Sequence, residues 1–96
     1  MSALWIAHVD VTDEDSYAKY LPYATEAIAQ FGGTFLVRGG AYQQLEGRDR
    51  ARNVVARFPS LQAAVDCYNS AKYQEGVVHA KAGSVRDLVV VEEIET

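Results

Sequence analysis

The sequence predicts an α+β fold of the ferredoxin-like type, a β-α-β-β-α-β chain whose antiparallel sheet carries its helices on one face. The first observation behind this class is that four β-rich segments alternate with helical periodicity in that order. The second is the length: 96 residues suffice for one domain, which we expect to cover residues 1–96. The third is that every predicted strand is apolar on both parities, although helices on one side cover only one face of a sheet. We therefore expect a homodimer in which two sheets pack face to face.

The first strand and the first helix occupy the first third of the chain. Residues 3–11 (ALWIAHVDV) are β-rich and apolar on both parities. Thr12, with Asp15 three positions later, resembles a capping box that begins a helix, and apolar residues then recur at helical spacing as far as Phe31. Pro22 lacks an amide donor, so we expect a kink or a break in this helix. Gly32-Gly33 predicts the helix end, with a left-handed residue.

The remaining elements follow from short apolar runs and their boundary residues. Residues 34–38 (TFLVR) and 52–58 (RNVVARF) predict the second and third strands. Between them, Gly39-Gly40 predicts a bulge or bend, and residues 41–51 predict a ragged hairpin that turns near Gly47. Ser60 and Ser70 are candidate N-caps of two further helices, and residues 88–94 (LVVVEEI) predict the last strand.

Composition excludes several classes of protein. The net charge is −4 and basic residues cluster only at Arg48, Arg50 and Arg52, so we expect no nucleic-acid partner, which would need clustered positive charge. One cysteine, Cys67, cannot form an internal disulfide, and no Cys/His cluster has the spacing of a metal site. No apolar run reaches the ~18 residues of a membrane span, and the N-terminus has the pattern of a strand instead of a leader. We expect a cytoplasmic protein with no metal, no cofactor and no membrane contact.

Five segments together resemble the domain-of-unknown-function family 1330. They are LWIAHVDVTD (4–13), Tyr17 with Tyr20, GGTFLVRGG (32–40), Arg52 with FPS (58–60), and YNSAKYQ (68–74). The resemblance spans nearly the whole chain and implies a dimeric α+β barrel. It implies no settled activity, because that superfamily includes cofactor-free monooxygenases, polyketide cyclases, haem-dependent enzymes and small lyases. Family members often carry an arginine after the Tyr-Gln pair, whereas this chain has only Lys81 as a cation in EGVVHAKAG (75–83).

His8 and Arg38 are the candidate catalytic residues. His8 lies in the first predicted strand on the parity of Ile6 and Asp10, where a neutral imidazole could act as an acid or base. The alternative is a structural histidine of the core or interface, which we favour. Arg38 ends the second strand on the parity of Thr34, and it could hold a carboxylate, a phosphate or an enolate oxygen. The structural alternative pairs Arg38 with an acid, for which the candidates are Asp10, Glu46 and Asp87.

The candidate ligand-binding residues are Tyr17, Tyr20, Tyr68 and Arg57. The three tyrosines lie on apolar helix stripes, where they either pack as core residues or line a pocket for an aromatic ligand. Arg57 is expected on the sheet face turned away from the helices, together with Asn53. Cys67 is predicted on the polar side of its helix, without a basic neighbour that would make it a nucleophile.

Two functions follow from these residues. The first is a dimeric barrel protein that binds a small molecule in a pocket between the sheet and the helices. The second is a cofactor-independent enzyme of the monooxygenase, cyclase or isomerase type, acting on a small aromatic or enolisable substrate. In that enzyme His8 would transfer a proton and Arg38 would hold the developing oxyanion.

Overall fold

The computed structural model of the protein describes residues 1–94. Four strands and three helices alternate along this part of the chain in the order β-α-β-β-α-α-β. In chain order they are β1 (Ala3–Val11), α1 (Glu14–Gln30), β2 (Thr34–Arg38), β3 (Arg52–Phe58), α2 (Leu61–Asn69), α3 (Ala71–Gly83) and β4 (Ser84–Glu92).

The four strands form one antiparallel sheet in the order β2-β3-β1-β4. This is the ferredoxin-like arrangement, so the predicted fold class is confirmed. The first three strands have the predicted bounds, but β4 begins at Ser84, four residues before the predicted Leu88. Two charged residues, Arg86 and Asp87, make the start of β4 look unlike a strand in the sequence. Both have partners in the fold: Arg86 donates to the Tyr20 hydroxyl at 2.9 Å, and Asp87 pairs with Arg50 at 3.2 Å.

The core lies between the helices and one face of the sheet, which we call the inner face. On β1 the inner face carries Trp5, Ala7 and Val9, all nearly inaccessible to solvent. Trp5 packs against Phe58 and, edge-on, against Tyr73, with ring centroids 5.6 and 5.1 Å apart. Burial of such large rings contributes strongly to the favourable free energy of folding.

Helix α1 differs from its prediction at both the cap and the middle. Its N-cap is Asp13, not Thr12, because the Asp13 carboxylate accepts from the backbone amides of Asp15 and Ser16 at 3.1 and 3.3 Å. The helix continues without a break through Pro22. The amide missing at Pro22 is outweighed by packing, since the buried stripe of α1 lies against the sheet and α3 on both sides of the proline.

The chain between α1 and β3 is the least regular part of the fold. Gly32 has the predicted left-handed backbone at φ +80°. The predicted bulge at Gly39-Gly40 is displaced into the strand, because the register of β2 shifts between Phe35 and Val37. Residues 41–51 form no hairpin strands, although Gly47 has the left-handed φ of a turn, +82°.

Cys67 corrects a further prediction. It was expected on the polar side of its helix, but it is completely buried in the core. Helix α2 is short, and α3 packs beside it. Cys67 therefore belongs to the core although its side of α2 looks polar in the sequence. Burial raises the pKa of the Cys67 thiol to about 11, which keeps it protonated at neutral pH.

The opposite face of the sheet, which we call the open face, is covered by none of the helices of residues 1–94. Val85, Val89 and Val91 of β4 are 53%, 54% and 47% exposed there. The registers place them beside the alternate residues of the other strands, namely Leu4, Ile6, His8, Asn53, Val55 and Val37. The strands are therefore apolar on both faces, as the sequence predicts, and the described residues of a single chain leave one of these faces uncovered.

Two further observations concern residues 1–94. None of the helices there is long and apolar enough to cross a membrane. Within the same range, no group of three or more His, Cys, Asp or Glu side chains is arranged to hold a metal ion.

Candidate functional site

A narrow cavity lies between α1 and the inner face of the sheet. Its floor consists of small and medium side chains of two central strands, Ala7 and Val9 of β1 and Val54 of β3. About 20 Å³ of it is wide enough for water, which is room for roughly one molecule. The side chains around this floor are Trp5, Tyr17, Tyr20, Leu21, Ala24, Thr25, Ile28, Phe35, Arg38, Arg52 and Arg86.

The sheet register brings two arginines to opposite sides of the same residue. Val9 pairs with Arg52 on β3 and with Arg86 on β4. All three side chains belong to the inner face, because Val9 lies in the core and its direct cross-strand partners point to the same side. Arg52 and Arg86 therefore flank Val9, with their backbones about two strand spacings, roughly 10 Å, apart.

The third arginine, Arg38, reaches the cavity because of the bulge in β2. Without the bulge, Arg38 would share a face with Thr34, as the sequence analysis expected. The register shift instead pairs Arg38 with Val54 of the inner face, and its Nη2 donates to Thr25 Oγ1 of α1 at 2.8 Å. Arg38 and Arg52 are thus diagonal neighbours on adjacent strands, at roughly 7–8 Å in such pairs.

Each of the three guanidinium groups lies over an aromatic ring. Arg38 is 4.4 Å from the centroid of Phe35, Arg52 is 5.7 Å from Tyr17, and Arg86 is 4.8 Å from Tyr20. Such contacts orient the planar cation and stabilise it by about 0.5–2 kcal/mol each. They do not neutralise its charge.

Among residues 1–94, none of these three arginines has a carboxylate partner. Of the acids proposed for Arg38, Asp10 and Asp87 both bind Arg50, at 2.8 and 3.2 Å, and Glu46 forms no salt bridge with Arg38 within the described residues. Nε of Arg52 is buried and has no hydrogen-bond partner in the described part of the chain. Buried polar groups are nearly always paired, so an orphaned guanidinium donor beside a cavity indicates a position for an acceptor.

Gly39 provides the space that Arg52 occupies. Its backbone is left-handed, at φ +72°, and a Cβ built there would lie 2.6 Å from Arg52 Nη1. Its amide donates to the Asn53 carbonyl at 2.9 Å, which holds the turn against β3. Gly39 thus ends β2 in a conformation that suits glycine and leaves room for the guanidinium.

The tyrosines at the cavity place their hydroxyl groups beside the arginines. Burial, together with the neighbouring Tyr20 phenol, raises the pKa of Tyr17, although Arg52 opposes the shift. The Tyr20 hydroxyl lies 2.7 Å from that of Tyr73 and accepts from Arg86. The pKa of Tyr73 is also raised, first by burial. Tyr20 therefore fixes Arg86 at one end of the cavity, while Tyr17 lies beside Arg52 at its centre.

The structure divides the sequence-predicted site residues into two groups. Tyr17, Tyr20 and Arg38 lie together at the cavity. His8 and Arg57 lie on the open face, where His8 Nδ1 is 2.6 Å from Asn53 Oδ1 and Arg57 binds Glu93. His8 and Arg38, the candidate catalytic residues, thus lie on opposite faces of the sheet, because the bulge turns Arg38 to the inner face.

Tyr68 lies away from the arginines. Its ring packs between Trp5 and Tyr73, at 6.2 and 5.4 Å, and borders two wider, more open grooves of about 430 and 380 Å³ between the helices and β4.

Sequence reasoning missed Arg86 and assigned no ligand role to Arg52. Arg86 precedes the strand that the sequence predicts, so its strand parity could not be judged. Arg52 was recognised as the start of β3, and the parity of buried Val54 was the signal that could have placed it on the inner face.

Comparison with known proteins agrees with this fold and leaves the activity open. Residues 2–94 match the sequence model of a family described as "Domain of unknown function (DUF1330)". No protein of curated function matches the sequence significantly.

Among solved structures, the chain is similar to RPA0582, a protein of unknown function from Rhodopseudomonas palustris, with 18% identity and a TM-score of 0.81 over 99% of this chain and 84% of that one. It is also similar to SnoaB, a cofactor-independent oxygenase from Streptomyces nogalater, with 13% identity and a TM-score of 0.65 over 99% and 95% of the two chains. A dimeric ferredoxin-like protein of unknown function from Bacteroides fragilis has 11% identity and a TM-score of 0.57 over 96% of each chain. At these identities the structural likeness concerns the fold alone, whereas the sequence match extends over nearly the entire chain: the protein belongs to the DUF1330 family.

Proposed function

We propose that the protein binds a small organic anion in the cavity between α1 and the inner face of the sheet. The observation that carries this proposal is that three arginines, Arg38, Arg52 and Arg86, border one cavity without an acidic partner among residues 1–94. Three like charges around a narrow space repel one another and are partly withdrawn from water. An anion that enters this space removes both costs.

The chemistry of the lining favours a carboxylate, phosphate or enolate group on an apolar body. Guanidinium groups bind planar oxyanions through paired N–H donors, and hydrogen bonds to charged groups contribute roughly 1.5–3 kcal/mol each. The Tyr17 hydroxyl is protonated at neutral pH and adds a donor. The remaining walls are aromatic and aliphatic, as in most small-molecule sites. Because the enclosed space holds roughly one water molecule, only the anionic group occupies it, and the apolar body lies at the mouth beside the exposed Arg38.

A thermal-shift screen of small carboxylates, phosphate esters and enols tests the proposal, because a ligand that binds the native state raises its melting temperature by mass action. Titration calorimetry of the best compound is then repeated with Arg52→Gln, which removes the central charge. We expect a loss of affinity of about tenfold or more, since one charge-assisted hydrogen bond exceeds 1.4 kcal/mol. Arg48→Gln is the matched control, because Arg48 lies in the loop away from the cavity and is 74% exposed. Equal affinity in all three proteins would refute the proposal.

We also propose that the protein is a homodimer that pairs the open faces of two sheets. The support is the exposed apolar surface of β4 together with a dimeric neighbour of the same fold. In the dimer His8 and Asn53 form a polar pair within an apolar interface, the structural role favoured for His8. Sedimentation equilibrium is the test, and a monomer at micromolar concentration would contradict this assembly.

A cofactor-independent enzyme of the oxygenase, cyclase or isomerase type is the second candidate. Its support is the fold shared with an oxygenase and the ability of the arginine cluster to stabilise an enolate. The cavity that contains Arg38 does not include His8, so a reaction in this cavity would not use His8 of the same chain as its base. Turnover of a ligand found in the screen, abolished in Arg38→Gln and retained in His8→Ala, would identify such an enzyme.

A further inference from the structure

The size of the arginine cavity limits the anion that it can enclose completely. The part that is wide enough for water has a volume of about 20 Å³, which is room for roughly one molecule. An organic anion places only its charged group there. Chloride is a single atom that is only somewhat larger than a water molecule, so it fits this space with no part left at the mouth.

One hydrogen-bond donor at the cavity is unsatisfied within residues 1–94. Nε of Arg52 is excluded from solvent and has no partner among these residues. Arg38, by contrast, donates to Thr25 at 2.8 Å. Arg86 donates to the Tyr20 hydroxyl at 2.9 Å. Because a buried N–H group nearly always has an acceptor, the Arg52 Nε–H is the donor that an occupant of the cavity would use first.

The charge around the cavity decides between water and an anion as this acceptor. Arg38, Arg52 and Arg86 all line the cavity, and none of them forms a salt bridge with a carboxylate of the described residues. Charges at a partly buried site are screened less than charges in open solvent. The three cations therefore attract an anion more strongly than a neutral water, and the same anion relieves their mutual repulsion.

The other surfaces of the cavity suit an ion that needs few directional hydrogen bonds. Ala7, Val9 and Val54 form the floor, and Leu21 and Ile28 are among the walls. These side chains offer neither donors nor acceptors. A carboxylate has two oxygens with about four acceptor sites to satisfy, whereas a halide accepts from any direction and tolerates contact with carbon on its remaining sides.

We infer that the arginine cavity is a halide site: chloride occupies it when no organic ligand is bound, and the charged group of the organic anion displaces it. This inference rests on the cavity of the proposed function and adds a regulator to it, because affinity for the organic anion then falls as the chloride concentration rises. By mass action, chloride at about ten times its own Kd raises the apparent Kd of the organic anion about tenfold.

The width of the chlorine NMR line tests the site, because chloride that exchanges with a protein site gives a broadened signal. We expect excess broadening from the native protein that is lost in Arg52→Gln and retained in Arg48→Gln. The second variant removes the same charge from a side chain that is 74% exposed. Bromide should displace chloride at a similar concentration, whereas the larger iodide should need about fivefold more or higher, because it overfills the space.

The iodide result does not depend on any variant. Adsorption to exposed arginines favours iodide, the most weakly hydrated of these ions, so displacement by iodide at a lower concentration than bromide would overturn the size-limited site. Equal broadening in Arg52→Gln and the unsubstituted protein would overturn it as well, since chloride would then bind elsewhere.

A competition experiment separates this inference from the proposed function. The tightest-binding anion of the thermal-shift screen is titrated by calorimetry at fixed ionic strength, with chloride replaced stepwise by methanesulfonate, which is too large for the space. An affinity that depends on Arg52 but not on chloride would overturn the halide site and leave the organic-anion site intact. Chloride that binds through Arg52 while no anion of the screen binds would support the halide site and overturn the organic ligand alone.

Discussion

Substituting Gly39 by alanine tests whether the turn after β2 creates the space for Arg52. Gly39 has φ +72°, a conformation that costs an L-residue about 1–2 kcal/mol. For a domain of this length, that cost lowers the melting temperature by roughly 4–16 °C. The new methyl group would also lie 2.6 Å from Arg52 Nη1. Because this atom is the far end of a flexible side chain, the guanidinium moves aside and the fold survives. We therefore expect a folded, less stable protein whose affinity for the anion found in the screen falls about tenfold, the loss of one charge-assisted hydrogen bond.

Gly40→Ala is the matched control for this substitution. A Cβ at Gly40 meets no atom of residues 1–94 within 4 Å, and Gly40 is not among their glycines with positive φ. Thermal unfolding followed by circular dichroism gives the stability of both variants, and calorimetry gives their anion affinity. Gly39→Ala with the melting temperature and affinity of Gly40→Ala would refute the spatial role assigned to Gly39.

Three further predictions concern other parts of the molecule. Tyr20→Phe removes the partner of the Tyr73 hydroxyl and of Arg86, so urea unfolding should show a loss of about 1–3 kcal/mol; an unchanged midpoint would mean that this buried network is not stabilising. Val89→Glu places a charge on the open face, where Val89 is 54% exposed in one chain, and sedimentation should then show a monomer that keeps its secondary structure; a persistent dimer would place the interface elsewhere. The Cys67 pKa of about 11, raised by burial from 9.0, favours the protonated thiol in the native state, so its contribution to stability is complete below pH 9 and is lost as pH rises towards 11. Alkylation of Cys67 at pH 8 should therefore be slow until the protein unfolds, and rapid labelling of the native protein would show that the thiol is accessible.

The elements themselves could be predicted because their signals are local. Short apolar, β-rich runs mark the first three strands, and Ser60 and Ser70 cap α2 and α3 through their side-chain oxygens, as the sequence indicates. The errors arise where packing outweighs local preference. Pro22 is retained inside α1, and the polar beginning of β4 is a strand because Arg86 and Asp87 find partners elsewhere in the chain.

The candidate site was harder to predict because it depends on a one-residue shift. Strand parity reverses at every residue, so the bulge between Phe35 and Val37 moves Arg38 from the face of His8 to the opposite face. No local pattern marks this bulge. Arg38, Arg52 and Arg86 border one cavity because the strands are ordered β2-β3-β1-β4 in the sheet. Local sequence patterns cannot show this, since 48 positions separate Arg38 from Arg86 in the sequence.

The Arg52 side-chain Nε–H resonance offers the most direct measurement of the central claim, because this donor is buried and lacks a partner among residues 1–94. Arginine Nε–H cross-peaks can be assigned by single Arg→Lys substitutions and followed during titration with the tightest-binding anion of the thermal-shift screen. We expect the Arg52 peak to shift in a saturable manner at a concentration that matches the calorimetric affinity, while the exposed Arg48 peak stays in place. A titration in which the calorimetric signal saturates and the Arg52 peak does not move would contradict the arginine cavity as the binding site.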